Sequence, residues 1–171
     1  MVRPHYRRVI GRDDESGFSI LELLIAVAII LVIAAIAVPN YFSSRMAANE
    51  SSACGTLRTM NTALALYVAS YGSVGYPPTL VELTDGGNSP CTPSSTQACL
   101  IDLSLASGTK SGYNFVYAPD TSSSIPPGYT IHADPISRGS TGRRSFFTDQ
   151  PGVIHYNPAG PATVNDPPIP M

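Results

Sequence analysis

The chain has 171 residues, a net charge of −2 and only 13% charged residues, so it lacks the basic stripe that a nucleic-acid-coating protein needs. Serine, threonine, glycine and proline are abundant and tryptophan is absent, a composition suited to an exposed domain rich in loops and turns.

Residues 1–17 read as a short polar leader with Arg3, Arg7, Arg8 and Arg12, and with Asp13, Asp14 and Glu15 shortly before Gly17. An apolar run then extends from Phe18 to Val38 and stops at Pro39. Its 21 residues would make a helix of about 31 Å, enough to cross a hydrocarbon core of about 30 Å. Arginines precede the run and only Arg45 follows closely, which predicts an N-terminus in the cytoplasm and the rest of the chain outside. A secretory signal has a shorter core of about 7–15 apolar residues and is cut after that core. Here the core is longer and the glycine comes before it. Within the run stands Glu22, a lone carboxylate that would cost about 3 kcal/mol or more if left unpaired in lipid. Such a buried charge demands a partner charge and hydrogen bonds.

The stretch Gly17-Phe18-Ser19-Ile20-Leu21-Glu22-Leu23-Leu24-Ile25-Ala26 behind a polar leader resembles the processing site of type IV prepilins and the related pseudopilins. The resemblance implies that a membrane prepilin peptidase cuts after Gly17 and N-methylates Phe18, the new first residue. It implies that Glu22 pairs with the N-terminal ammonium of a neighbouring subunit in a filament, and that Pro39 gives the helix flexibility where subunits pack. The implied partners are that peptidase, copies of the chain and other pilin-like subunits, and an assembly platform in the bacterial inner membrane. The head would be periplasmic until the subunit joins a filament. Family leaders are usually basic where this one has Asp13, Asp14 and Glu15, and many pilins carry a C-terminal disulfide loop that is not seen here. With residues 1–17 as leader and 18–39 as the membrane and filament-core helix, about 130 residues remain, enough for one head domain over 40–157 and a proline-rich tail over 158–171.

Pro39 removes a backbone donor and crowds the preceding turn, so a kink or loosening is expected there. From Asn40 to Tyr71 the chain still reads as helix. Leu57, Met60, Leu64, Tyr67, Val68 and Tyr71 recur at three- and four-residue spacing and form one apolar stripe for core packing, with Arg45, Glu50 and Arg58 assigned to the wet side and Gly72 as the stop. After Tyr76-Pro77-Pro78, Thr79 and Glu82 have the spacing of a capping box, which predicts a one- or two-turn helix at Thr79. The order of long helix, tyrosine-proline segment and short Leu-rich helix resembles the major pseudopilins of type II secretion and some short pilins.

Asp85 to Pro90 is turn chemistry and leads to Cys91 and Cys99, eight positions apart in a Ser/Thr-rich loop. In a head outside the membrane the simplest reading is a disulfide closing a small loop. Zinc is the competing reading, without a nearby histidine. Cys54 on the long helix reads as a buried unpaired thiol, although three cysteines allow three single bridges and its pairing with Cys91 or Cys99 stays open. Ile101 to Ala106 reads as another turn of helix. Tyr113–Tyr117, Tyr129–Ala133, Arg144–Thr148 and Val153–Tyr156 alternate like strands and are separated by turn signals. The expected arrangement is α+β: a small antiparallel meander of three or four strands whose inner face covers the second half of the long helix, as in a pilin head. The tail, with Pro158, Pro161, Pro167, Pro168 and Pro170, is expected to be extended or disordered with little to bury.

The head shows little chemistry. His132 and His155 stand singly in strand segments and are assigned to strand packing, with no metal site. Gly139 to Gly142 lacks the preceding strand and following lysine of a phosphate loop, and no Gly-x-Ser-x-Gly nucleophile motif occurs. Asp120, Asp134 and Asp149 fall near strand ends, dispersed rather than in a calcium loop, and are assigned to turns and caps. Arg138, Arg143 and Arg144 form the one basic cluster outside the leader; lacking interleaved aromatics, it reads as a solvated loop or subunit contact rather than a DNA site. The expectation is a structural filament subunit without cofactor or catalytic residue. The alternatives are a type II secretion pseudopilin and, from another class, a minor pilin that binds DNA or another ligand.

Overall fold

The computed structural model describes residues 17–87, 90–122, 125 and 127–170; residues 1–16 of the leader assigned to 1–17, Asn88 and Ser89 of the predicted turn, and Met171 of the tail lie outside them. The chain divides into two compact units, one ending at Pro39 and one running from Asn40 onward.

Helix α1 spans Ile20–Tyr71, 52 residues, and continues through Pro39. Up to Pro39 its surface, apart from Glu22, is Leu, Ile, Val and Ala, with the large apolar side chains exposed. In the second unit the predicted stripe is the core: Leu57, Met60, Leu64 and Tyr67 are fully buried, and Val68 and Tyr71 pack partly buried against them. Each such aliphatic side chain stabilises the fold by about 1.5–3 kcal/mol through loss of contact with water. The stripe also reaches further back than the spacing from Leu57 suggested, through Ala53 and Met46.

The polypeptide leaves α1 at Tyr71 and turns through the Tyr76-Pro77-Pro78 segment into a 3-10 turn, Leu80–Leu83. Thr79 and Glu82 form the predicted capping box, with the Thr79 hydroxyl accepting from Val81 N and the Glu82 carboxylate accepting from Thr79 N at 3.1 Å. The bridge Cys91–Cys99 closes the following loop, which is tied to the 3-10 turn by Ala98 N donating to Glu82 O and Leu100 N to Leu83 O. A one-turn helix α2, Leu103–Ala106, follows with Asp102 as its N-cap.

Five antiparallel strands complete the head in simple sequential order: β1 Thr109–Lys110, β2 Tyr113–Pro119, β3 Tyr129–Pro135, β4 Ser145–Asp149 and β5 Ile154–Asn157. The meander thus has one strand more than expected. β1 carries no apolar alternation, and it exists because Ser111 and Gly112, both at positive φ, make the two-residue turn whose twist suits a hairpin. The inward residues Tyr113, Phe115, Tyr129, Ile131, Ala133, Phe146 and Ile154 alternate with outward ones and cover the stripe of α1.

Polar groups then fix the register of helix on sheet. Asn61 Nδ2 donates to Thr148 Oγ1 (2.9 Å) and to Gly152 O (3.2 Å), and Asn61 Oδ1 accepts from the Tyr129 hydroxyl (3.1 Å). Glu50 departs from its expected place on the wet side. It is buried, and its carboxylate accepts from Arg143 N (2.8 Å), Arg144 N (3.2 Å) and Arg144 Nε (2.7 Å). The reason is geometric: Met46, Glu50, Ala53 and Leu57 follow the four- and three-residue spacing of the buried face, so Glu50 points at the sheet and must be paired there.

The tail also differs from expectation. Residues 158–170 fold back on the sheet, with Ala162 fully buried and Ile169 packed on the core. Few apolar groups were needed, because backbone hydrogen bonds to β5 and the side chain of Asp166 hold the segment instead.

Candidate functional site

The segment with the strongest functional signal is the start of α1. Ser19 precedes the first helical residue, its hydroxyl accepts from Leu21 N (3.3 Å), and the Glu22 carboxylate accepts from Ser19 N (3.3 Å). Ser19-Ile20-Leu21-Glu22 thus has the spacing of a capping box, with the hydroxyl bond made to Leu21 N, and Glu22 supplies two things at once: an acceptor for an orphan N–H and negative charge at the positive end of a helix. The Ser-x-x-Glu spacing announces this as plainly as Thr79 and Glu82 do.

Gly17, directly before Phe18, has no neighbour within 4 Å of where a side chain would begin. Phe18 and Ile20 are more than four-fifths exposed, and the most apolar 18-residue window of α1 has a mean hydropathy of 3.1 with none of it buried. By length and composition this helix can cross a membrane. A continuous apolar surface of this extent on a soluble domain would drive association, so it demands lipid or other helices as its surroundings. Pro39 lies within α1 and leaves one carbonyl of the preceding turn without its helical donor.

Residues 12–38 match the family model described as the prokaryotic N-terminal methylation motif. The chain carries that motif. It is the hallmark of type IV pilins and pseudopilins, and it supports a pilin-like or pseudopilin subunit that prepilin peptidase recognises and that assembles with other pilin subunits. The methylation motif and the apolar helix fit a protein anchored in the inner membrane and later drawn into a filament. Comparison with curated proteins and with solved structures gives no match.

The remaining candidate residues lie in the head. Cys91 and Cys99 are bridged, with Cα atoms 6.3 Å apart, and Gln97 donates from its side-chain amide to Asp85 O across the loop they close. Cys54 is free and half-buried, and burial pushes its thiol pKa up. His132 and His155 flank Phe147 on the outer face of the sheet, with ring centroids 5.0 and 6.3 Å from it, and His155 Nδ1 donates to Asp166 O (2.6 Å). Asp120 and Asp149 line one surface cleft of about 430 Å³, while Asp134 sits opposite Asn114 on β3. Asp120 accepts from Ser122 N as a turn residue.

The basic cluster is largely spoken for. Arg144 is paired with Glu50, and its guanidinium carbon lies 5.6 Å from the Phe146 ring and 5.5 Å from the Tyr156 ring. Arg138 donates to Arg143 O and to Ser145 Oγ. Arg144 holds the β3–β4 connection onto the helix through Glu50, and Arg138 ties that connection to itself and to the start of β4. Glu50 and Asn61 are the structural residues that sequence reasoning missed: Glu50 falls on the stripe when it is extended backward from Leu57, and Asn61 falls on it four residues after Leu57.

Proposed function

We propose that the chain is a structural subunit of a type IV pilus-like filament, cut by prepilin peptidase after Gly17, methylated on Phe18 and assembled through its N-terminal helix. The observation that carries this reading is the methylation motif lying on a fully exposed, membrane-length apolar helix whose chain continues into an α+β head. Anchored N-in, the helix keeps its apolar surface in lipid, and transfer into a bundle of like helices keeps that surface out of water. Glu22 gives assembly its direction. Before assembly its carboxylate caps the helix through Ser19 N; on cleavage Phe18 becomes a cationic N-terminus, and the ammonium of a neighbouring subunit is a stronger partner than a 3.3 Å contact to a neutral amide. The reading calls for no cofactor and no catalytic residue.

A pseudopilin of a type II secretion machine is the second reading, favoured by the Tyr76-Pro77-Pro78 segment and the capped turn that follows it. Peptide mass spectrometry of the N-terminus, in cells with an active prepilin peptidase, separates the two. A methylated Phe18 terminus abundant in sheared surface filaments supports the pilus, and the same terminus confined to membranes supports the secretion machine. An uncut Met1 terminus would overturn both.

A further inference from the structure

With strand order β1-β2-β3-β4-β5, the outer side of β5 is an open sheet edge, and an open edge is a template for pairing with another chain. Here the edge is occupied. Tyr156 N donates to Pro167 O (3.0 Å), Ile169 N donates to Ile154 O (2.8 Å), and His155 and Pro168 face each other as an antiparallel bridge. The segment is fastened from both sides. Asp166 accepts from Asn157 Nδ2 (3.0 Å), Thr163 N (2.7 Å) and Thr163 Oγ1 (2.9 Å), while Ile169 packs on the core.

Residues 167–170 thus run along β5 through a single bridge, and their composition is unusual. In an extended segment the backbone groups of alternate residues point to opposite edges. Pro167 O and Ile169 N point at β5, so the backbone positions that face away are 168 and 170. Both are proline, which has no N–H to offer. The one N–H of the segment is spent inward. The edge of β5 is covered by a segment that offers no outward N–H to a further strand.

We propose that residues 166–170 are a strap that closes the β5 edge against pairing with the sheet of a second copy of the chain. The proposal does not depend on the filament reading, and it has a plain use wherever heads are crowded side by side: contacts between them then come from side chains and not from merged sheets.

Three proteins in detergent test it: the parent, a chain stopped after Asn165, and the full-length Pro168→Val/Pro170→Val, which keeps the strap but restores two outward donors. Amide exchange at Tyr156 and light scattering over a hundredfold range of concentration are the readouts. At the lowest concentration the shortened chain is expected to exchange Tyr156 at least tenfold faster than the parent, and at the highest to form dimers that the parent does not. The double variant is expected to keep Tyr156 protected and still dimerise. Unchanged Tyr156 protection in the shortened chain, or a double variant with the parent's mass at every concentration, overturns the proposal. Should the shortened chain fail to fold, the double variant decides alone.

Discussion

Glu50→Ala removes the acceptor that ties the β3–β4 connection to the long helix. Two backbone N–H groups, of Arg143 and Arg144, lose their partner, and so does the Arg144 guanidinium. An unsatisfied buried donor costs about 1–3 kcal/mol. Arg143 is exposed and the Arg144 side chain is 39% exposed, so water reaches this edge and the lower figure applies: about 2 kcal/mol for the two amides. The ion pair, half in solvent, adds about 1 kcal/mol. A total of about 3 kcal/mol lowers the melting temperature of a head this size by about 10 °C. The assay is thermal melting of the full chain in detergent, followed by the near-ultraviolet dichroism of its buried tyrosines.

The pH dependence gives an independent check. Burial pushes the Glu50 carboxyl up, but the amides of Arg143 and Arg144 and the Arg144 guanidinium together outweigh it and hold the pKa below the ordinary value. A carboxyl depressed by folding stabilises the fold above its unfolded pKa of about 4.3, and that contribution disappears as pH falls through the folded value. The gap between parent and Glu50→Ala should therefore be full at pH 7 and shrink below about pH 4. A variant melting within about 1 °C of the parent at pH 7, or a gap that stays constant down to pH 3, would refute the reasoning.

Reducing the Cys91–Cys99 bridge, which spans eight positions, should cost about 2.5 kcal/mol through the regained freedom of the unfolded loop, seen as a lower denaturant midpoint. Gly142→Ala should destabilise the head by about 1–3 kcal/mol, because a methyl there overlaps the hydroxyl and ring of fully buried Tyr113; Ser140→Ala, in the same connection, is the control and should melt like the parent. Glu22→Gln should leave head melting and membrane insertion unchanged while cutting filament yield in a complemented strain, and a normal yield would sink the pairing role of that carboxylate.

Much of this architecture was open to reading because its signals are local. The apolar run, the capping box at Thr79 and the alternation in Tyr113–Tyr117 and Tyr129–Ala133 each depend on residues a few positions apart, and each yields the predicted element. What escaped depends on distant partners. Glu50 reads as a surface residue until Arg144 is placed against it, and β1 is two polar residues made a strand by the turn that follows. Residues 158–170 look unable to bury anything, since their anchoring comes from backbone groups and one aspartate that composition does not weigh. At the N-terminal segment Glu22 stands out in the sequence as a lone carboxylate in an apolar run, and its bond to Ser19 N follows from the Ser-x-x-Glu spacing.

Asn61 has a consequence for how this head can vary. Apolar contacts are indifferent to direction, and a helix with a long greasy stripe could slide one turn, about 5.4 Å, along its sheet and lose little. Three hydrogen bonds from one amide, reaching β3, β4 and the turn after β4, rule out every such slide. Volume can therefore be traded among Leu57, Met60 and Leu64 during divergence, while alignment is held by polar side chains, Asn61 together with Glu50. Lineages of this head should drift freely in their oil and stay conservative at these polar pegs.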